Sequence, residues 1–219
     1  RETLDDKIPK EVLEYLRKSV REGISARYSG PRQRVRAKPH ASLIAHLEEC
    51  TDKAVKDARD GKALIFVTED VSEQAADGLM ASPSGRVPKK RPDGSGAPEG
   101  RLITDQRHGN VTSSKYSHPP ALGPVPQQVE RETRWWKQLY PLGDVVYAEL
   151  DVKGAFKIFY VKESDVYLFV IELPGDEFGL KGKTITIVSL VLTFGWSGSP
   201  GEYAMFAWAA KCYHRPLYH

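Results

Sequence analysis

A chain of 219 residues, 40% hydrophobic and 28% charged, is long and apolar enough to bury a core as one large domain or two small ones, which excludes wholesale disorder. The net charge of +3 is mild, and two cysteines far apart in sequence, Cys50 and Cys212, exclude a disulfide framework and a cysteine zinc site. The longest apolar run, residues 184–196, is too short and too polar to span a bilayer, so a soluble intracellular protein, cytoplasmic or nuclear, with no membrane partner is expected.

Ile8, Val12, Leu13, Leu16, Val20 and Ile24 recur at helical spacing and Pro9 suits a first turn, which predicts an amphipathic helix over residues 5–25. Residues 27–39 mix Gly30, Pro31 and Pro39 with arginines and read as a loop whose charges are solvated or phosphate-facing. A second helix is expected over 42–58, with Leu43, Ile44, Leu47 and Ala54 on its apolar face, stopped by Gly61 and followed by a strand over 63–68. The Ser, Pro, Gly and Lys density of residues 82–100 marks a mobile loop or a hairpin with a flexible tip, flanked by a strand-like segment at 101–104. Four prolines between 113 and 129 delay the next helix to about 127–139, where Trp135 and Trp136 suit packing or base stacking. Strands are expected over 145–150, 167–172, 184–187 and 191–194, with turns at Gly175, Gly179 and Gly182. A last helix begins at Ser199, where an N-cap serine, Pro200 in the first position and Glu202 three residues on compose a capping box. The sum is an α+β fold with an antiparallel sheet and packed helices.

Charge is unevenly placed. Arg17, Lys18, Arg21, Arg27, Arg32, Arg34, Arg36 and Lys38 form one basic stretch, and Arg86, Lys89, Lys90, Arg91, Arg101 and Arg107 a second, both candidates for phosphate contact. Asp151 ends an apolar run, where a carboxylate is either a turn former or a rigidly held ligand for a hard cation. Gly195 and Gly198 precede the last helix and either make a tight turn or let backbone amides approach an anion.

Three segments carry a family resemblance. Arg101-Leu-Ile-Thr-Asp-Gln-Arg-His-Gly-Asn110 resembles the fingers motif of reverse transcriptases, Leu150-Asp-Val-Lys-Gly-Ala-Phe156 is similar to their motif A, and Phe194-Gly-Trp-Ser-Gly-Ser-Pro200 to their motif B. They occur in the family's order, and the Gly-Trp-x-Gly-Ser-Pro run is typical of the retroviral and long-terminal-repeat branch, although Gly154 and Phe194 stand where retroviral members often carry an acidic residue and glutamine. The resemblance implies a partial right-hand polymerase: residues 1–60 as upstream fingers helices or a linker, 61–140 as fingers, 141–219 as partial palm. It implies a catalytic Asp151 that binds magnesium, or manganese in its place, with the Val152 carbonyl assisting. Lys89, Lys90, Arg101, Gly154, Ala155, Phe156, Phe194 and Gly195 would bind the incoming deoxynucleoside triphosphate, the Phe156 ring excluding a 2′-hydroxyl. Trp196, Ser197, Gly198, Ser199 and Pro200 would contact an RNA or DNA template with its primer.

The family's aromatic-x-Asp-Asp motif is not found after Pro200. Asp151 alone cannot hold two dications, so the remainder of a polymerase chain is expected as a partner and Arg1 and His219 as cuts within it. Two other readings stand beside this one: a non-catalytic nucleic-acid-binding remnant, and an RNA-directed RNA polymerase of similar palm. Without the resemblance, Phe156 reads as a core aromatic, Lys89 and Lys90 as a solvated loop, and Arg101 as a surface partner of Asp105.

Overall fold

The computed structural model describes residues 8–91, 93–108, 117–121, 123, 125–147 and 152–214. Helix α1, Lys10–Glu22, follows Pro9 and buries Leu13 and Leu16. It is shorter than its periodicity predicts because the chain turns at Gly23 (φ 83°), which sends Ile24 into a bridge with Val161. The helix expected over 42–58 is two pieces, α2 (Ala41–Ile44) and α3 (Leu47–Arg59), broken where His46 leaves helical geometry. Leu43 is buried by this break, whereas Ile44, expected on the apolar face, is exposed.

Strand β1 (Ala63–Val67) and helix α4 (Glu73–Ala76) follow, the latter capped by Ser72 Oγ accepting from the Ala75 amide. Of the two readings of residues 82–100, the hairpin is found: β2 (Ser84–Lys90) pairs antiparallel with β3 (Gly96–Thr104), and Arg91 N donates to Ser95 O across the tip. Helix α5, Pro126–Leu139, lies where expected, takes Pro126 into its first turn and buries no residue. Strands β4 (Val170–Pro174) and β5 (Thr184–Ser189) precede helix α6 (Ser199–His214).

Two expected strands differ. The described part of 145–150, residues 145–147, is irregular. At 191–194 Leu192 N bonds Phe159 O, whereas Phe194 O accepts from Thr104 N, so this stretch divides its bonds between two neighbours and forms no ladder.

The main sheet is antiparallel in the order β1-β5-β4, with Ile65 opposite Ile187 and Ile171 opposite Ile187 on its other side. Alternate side chains face opposite ways. Ile171, Leu173, Ile185 and Ile187 therefore pack with Leu43, Cys50 and Ala54 beneath α2 and α3, while Val170 and Val188 meet Ala37, Leu79 and Ala81 on the other face. A further cluster gathers Ile24, Met80, Val161, Phe169, Leu192 and Trp196, and α1 packs on α6 through Leu13, Leu16 and Ala209. The molecule is an α+β fold with antiparallel sheets and packed helices. Boundaries at 60/61 and 140/141 do not separate cores, because β1 pairs with β5 and the residues before 60 line the same cluster as those after 170. Among the described residues no helix is long and apolar enough to cross a membrane.

The basic loop after α1 is tied down. Arg34 Nη2 and Arg36 Nε donate to the buried Glu172 carboxylate at 2.9 and 2.8 Å, and Arg32 lies 4.4 Å over the Tyr167 ring. A buried carboxylate must be compensated, so half-buried Arg34 and exposed Arg36 are both engaged by Glu172.

Candidate nucleotide-binding site

Three segments separated by more than thirty residues from one to the next meet at one aromatic contact. The Arg101 guanidinium lies 5.8 Å above the Phe194 ring, and the Phe156 ring lies 4.9 Å from the same ring, centroid to centroid. Tyr203, the fifth residue of α6, closes the group 6.1 Å from Phe156.

Backbone chemistry explains the meeting. Thr104 N donates to Phe194 O at 2.9 Å, which docks the end of β3 on the segment before α6. Gly195 follows with φ 105°, and a Cβ there would sit 1.9 Å from Thr104 O, so only glycine permits this approach. Ser199 Oγ donates to Thr193 O at 2.7 Å, and the buried Gln106 reaches Thr193 Oγ1 at 3.5 Å. Lys157, one residue past Phe156, forms an ion pair with Asp57 of α3. Beneath these groups a small cleft of about 50 Å³ is lined by Leu102, Thr104, Phe169, Ile171 and Phe194.

The residues singled out from sequence are placed unequally. Arg101 is exposed and makes no ion pair among the described residues, while Asp105, suggested as its partner, is held by Arg107 at 2.8 Å. That guanidinium lowers the Asp105 carboxyl to about 2. Lys89 pairs with Glu99 at 2.9 Å across the hairpin, and Lys90 is exposed opposite Gly96. Gly154 is exposed in a left-handed turn (φ 66°) that leads into a 3-10 turn, Ala155–Ile158, which carries Phe156 half-buried. Val152 is exposed. Asp151 and Asn110 lie outside the described residues.

Of the segment assigned to template contact, Trp196, Gly198 and Ser199 are buried, and Trp196 stacks edge-on against Phe169 and His118 at 5.3 and 4.7 Å. Gly195, Ser197 and Pro200 remain accessible. Trp135 and Trp136 are neither core nor joined to this site: they are half-exposed on α5 and contact one another at 4.8 Å.

The capping box expected at α6 is replaced by another use of its residues. Ser199 donates backward to Thr193, and Glu202, fully buried, takes a hydrogen bond from Tyr15 Oη, lies 2.9 Å from His118 Nδ1 and 3.6 Å from Arg27 Nη2. Burial first, and then this carboxylate, push the Tyr15 phenol far above its ordinary range. A local pattern hid this role, because only the packing of α1 and residues 117–120 on α6 reveals the partners. Tyr203 was also missed; its signal was an aromatic four residues beyond Ser199 in a helix whose start abuts the site.

Among the described residues no group of three or more His, Cys, Asp or Glu side chains can hold a metal ion. Asp151, the side chain assigned to magnesium, lies outside the described residues. No protein-family model matches the chain, and a search of curated proteins finds no match to it.

Proposed function

We propose that this chain is the fingers and front palm of a retroelement reverse transcriptase, and that Arg101, Phe156 and Phe194 line its pocket for a deoxynucleoside triphosphate. The observation that supports this reading is the convergence of the three motif segments: a cation, a half-buried ring and a glycine-hinged ring, distant in sequence, meet on one aromatic contact. A solvent-facing guanidinium without a carboxylate partner among the described residues suits a phosphate, which it binds with two parallel hydrogen bonds. Phe156 beside it presents a flat apolar surface to a sugar, where a 2′-hydroxyl would lose its water without gaining a partner.

In this reading residues 61–140 serve as fingers and 141–219 as palm, with template, primer and magnesium as the remaining partners. Asp151 is the residue it assigns to the metal. Nucleotidyl transfer needs further carboxylates, supplied by the rest of a polymerase chain.

The test is equilibrium binding of a deoxynucleoside triphosphate to the chain at low salt. Arg101→Ala should weaken binding about tenfold, as removal of a charge-assisted pair does. Phe156→Ala should bring ribonucleoside triphosphate affinity up to that of the deoxy form. A wild-type chain with no triphosphate affinity, or one that prefers ribonucleotides, defeats the proposal; the second result points to an RNA polymerase.

A further inference from the structure

Helix α3 presents an acid, a base and an acid at four-residue spacing, Glu49, Lys53 and Asp57, on one face. Glu49 Oε1 accepts the Gly100 amide at 2.7 Å, and its Oε2 accepts Arg86 Nε at 2.9 Å. Lys53 Nζ donates to Gly100 O at 2.7 Å and pairs with Glu49. Gly100 stands opposite Pro88, which has no amide to offer, so both of its peptide groups are turned to the helix. Two side chains of α3 thus take the place of a third strand at the outer edge of β3. A Cβ at Gly100 would meet Arg86 Nε at 2.3 Å and displace the arginine from Glu49. At the far end of the same face Asp57 holds Lys157.

Gly100 precedes Arg101, and Lys157 follows Phe156. We infer that the Glu49–Lys53–Asp57 face is a positioning device for the triphosphate pocket, fixing Arg101 from one end and Phe156 from the other. The inference rests on the triphosphate reading of that pocket, but it makes a structural claim of its own. Glu49 and Lys53 act on Arg101 only through the Gly100 peptide, and they are positioning residues, not ligands. The Glu49 carboxyl is held at about 2, chiefly by the Gly100 amide with Lys53 and Arg86 assisting.

The experiment is a double-mutant cycle on triphosphate binding, with amide hydrogen exchange at Gly100 read in parallel on the same chain. Glu49→Gln should weaken deoxynucleoside triphosphate binding about threefold to tenfold and speed exchange at Gly100. Added to Arg101→Ala, it should cost nothing more, a result that general loosening of the fold would not produce. Lys53→Met, which keeps the stem of the side chain and the helix, serves as the second variant and should weaken binding in the same direction. Unchanged exchange at Gly100 overturns the clamp. Faster exchange with unchanged affinity, or an additive loss on the Arg101→Ala background, overturns the link to Arg101. A wild-type chain that binds no triphosphate while Glu49→Gln still speeds Gly100 exchange defeats the pocket assignment, and the positioning role with it, while leaving the clamp intact.

Discussion

At Gly195 a single missing methylene decides whether β3 can dock. Gly195→Ala forces a Cβ to within 1.9 Å of Thr104 O at a φ of 105°, so the variant should lose roughly 2–4 kcal/mol of stability, read from urea unfolding. Glu202 is decided by its neighbours. Its removal leaves buried His118 and half-buried Tyr15 without the carboxylate and takes the buried acid from Arg27, so Glu202→Ala should cost about 3 kcal/mol in the same measurement. The sequence placed Glu202 correctly in the first turn of a helix but assigned it to capping, because a capping box is a pattern of four residues whereas its true partners lie up to 187 residues away. Arg101, Phe156 and Phe194 were legible as site candidates from their motifs; that they share one contact was not, and Asp151, the residue with the sharpest role, lies outside the described residues.

Among the elements, α1, α3, α5 and the hairpin were foreseen in outline where local chemistry dominates: helical spacing of Leu13 and Leu16, Gly61 just past a helix, and a Ser, Pro and Gly-rich tip between strands; Gly23, which ends α1, and Pro126, which stands inside α5, were not read that way. The break between α2 and α3 was not, since it serves to bury Leu43 against the sheet. The hairpin's attachment to α3 has a pH dependence. A carboxylate whose folded value is depressed stabilises the folded state fully above its unfolded value, near 4.5, and that contribution fades as pH falls toward the folded value. Glu49, at about 2, should therefore give a decline in stability between about pH 4.5 and 2, and Glu49→Gln should flatten this part of a urea-midpoint series against pH. Helix α5 marks the opposite case, an element complete in sequence and unsupported by packing. Trp135→Ala and Trp136→Ala should each change stability by less than about 0.5 kcal/mol, and iodide should quench both tryptophans in the wild type while sparing the buried Trp196.

Across the whole molecule, the core is made by contacts that no local window contains. β1 pairs with β5 from Ala63–Ser189 to Val67–Ile185, and Leu43, Cys50 and Ala54 cover Ile171 to Ile187. Pieces cut at 60/61 or 140/141 should therefore lose their cooperative unfolding transition, followed by circular dichroism in urea; a piece comprising residues 61–140 that unfolds as sharply as the full chain would contradict this architecture. The sequence by itself determined the α+β composition and the approximate place of the longer helices, because helical period, turn glycines and prolines act within a few residues. Only the tertiary structure decided which strands pair, which arginines are drawn to the buried Glu172 and which is left facing solvent, and that Arg101, Phe156 and Phe194 form one group. Those outcomes depend on which distant carboxylates and rings a folded chain brings within a few ångströms, and burial sets the strength of each such contact.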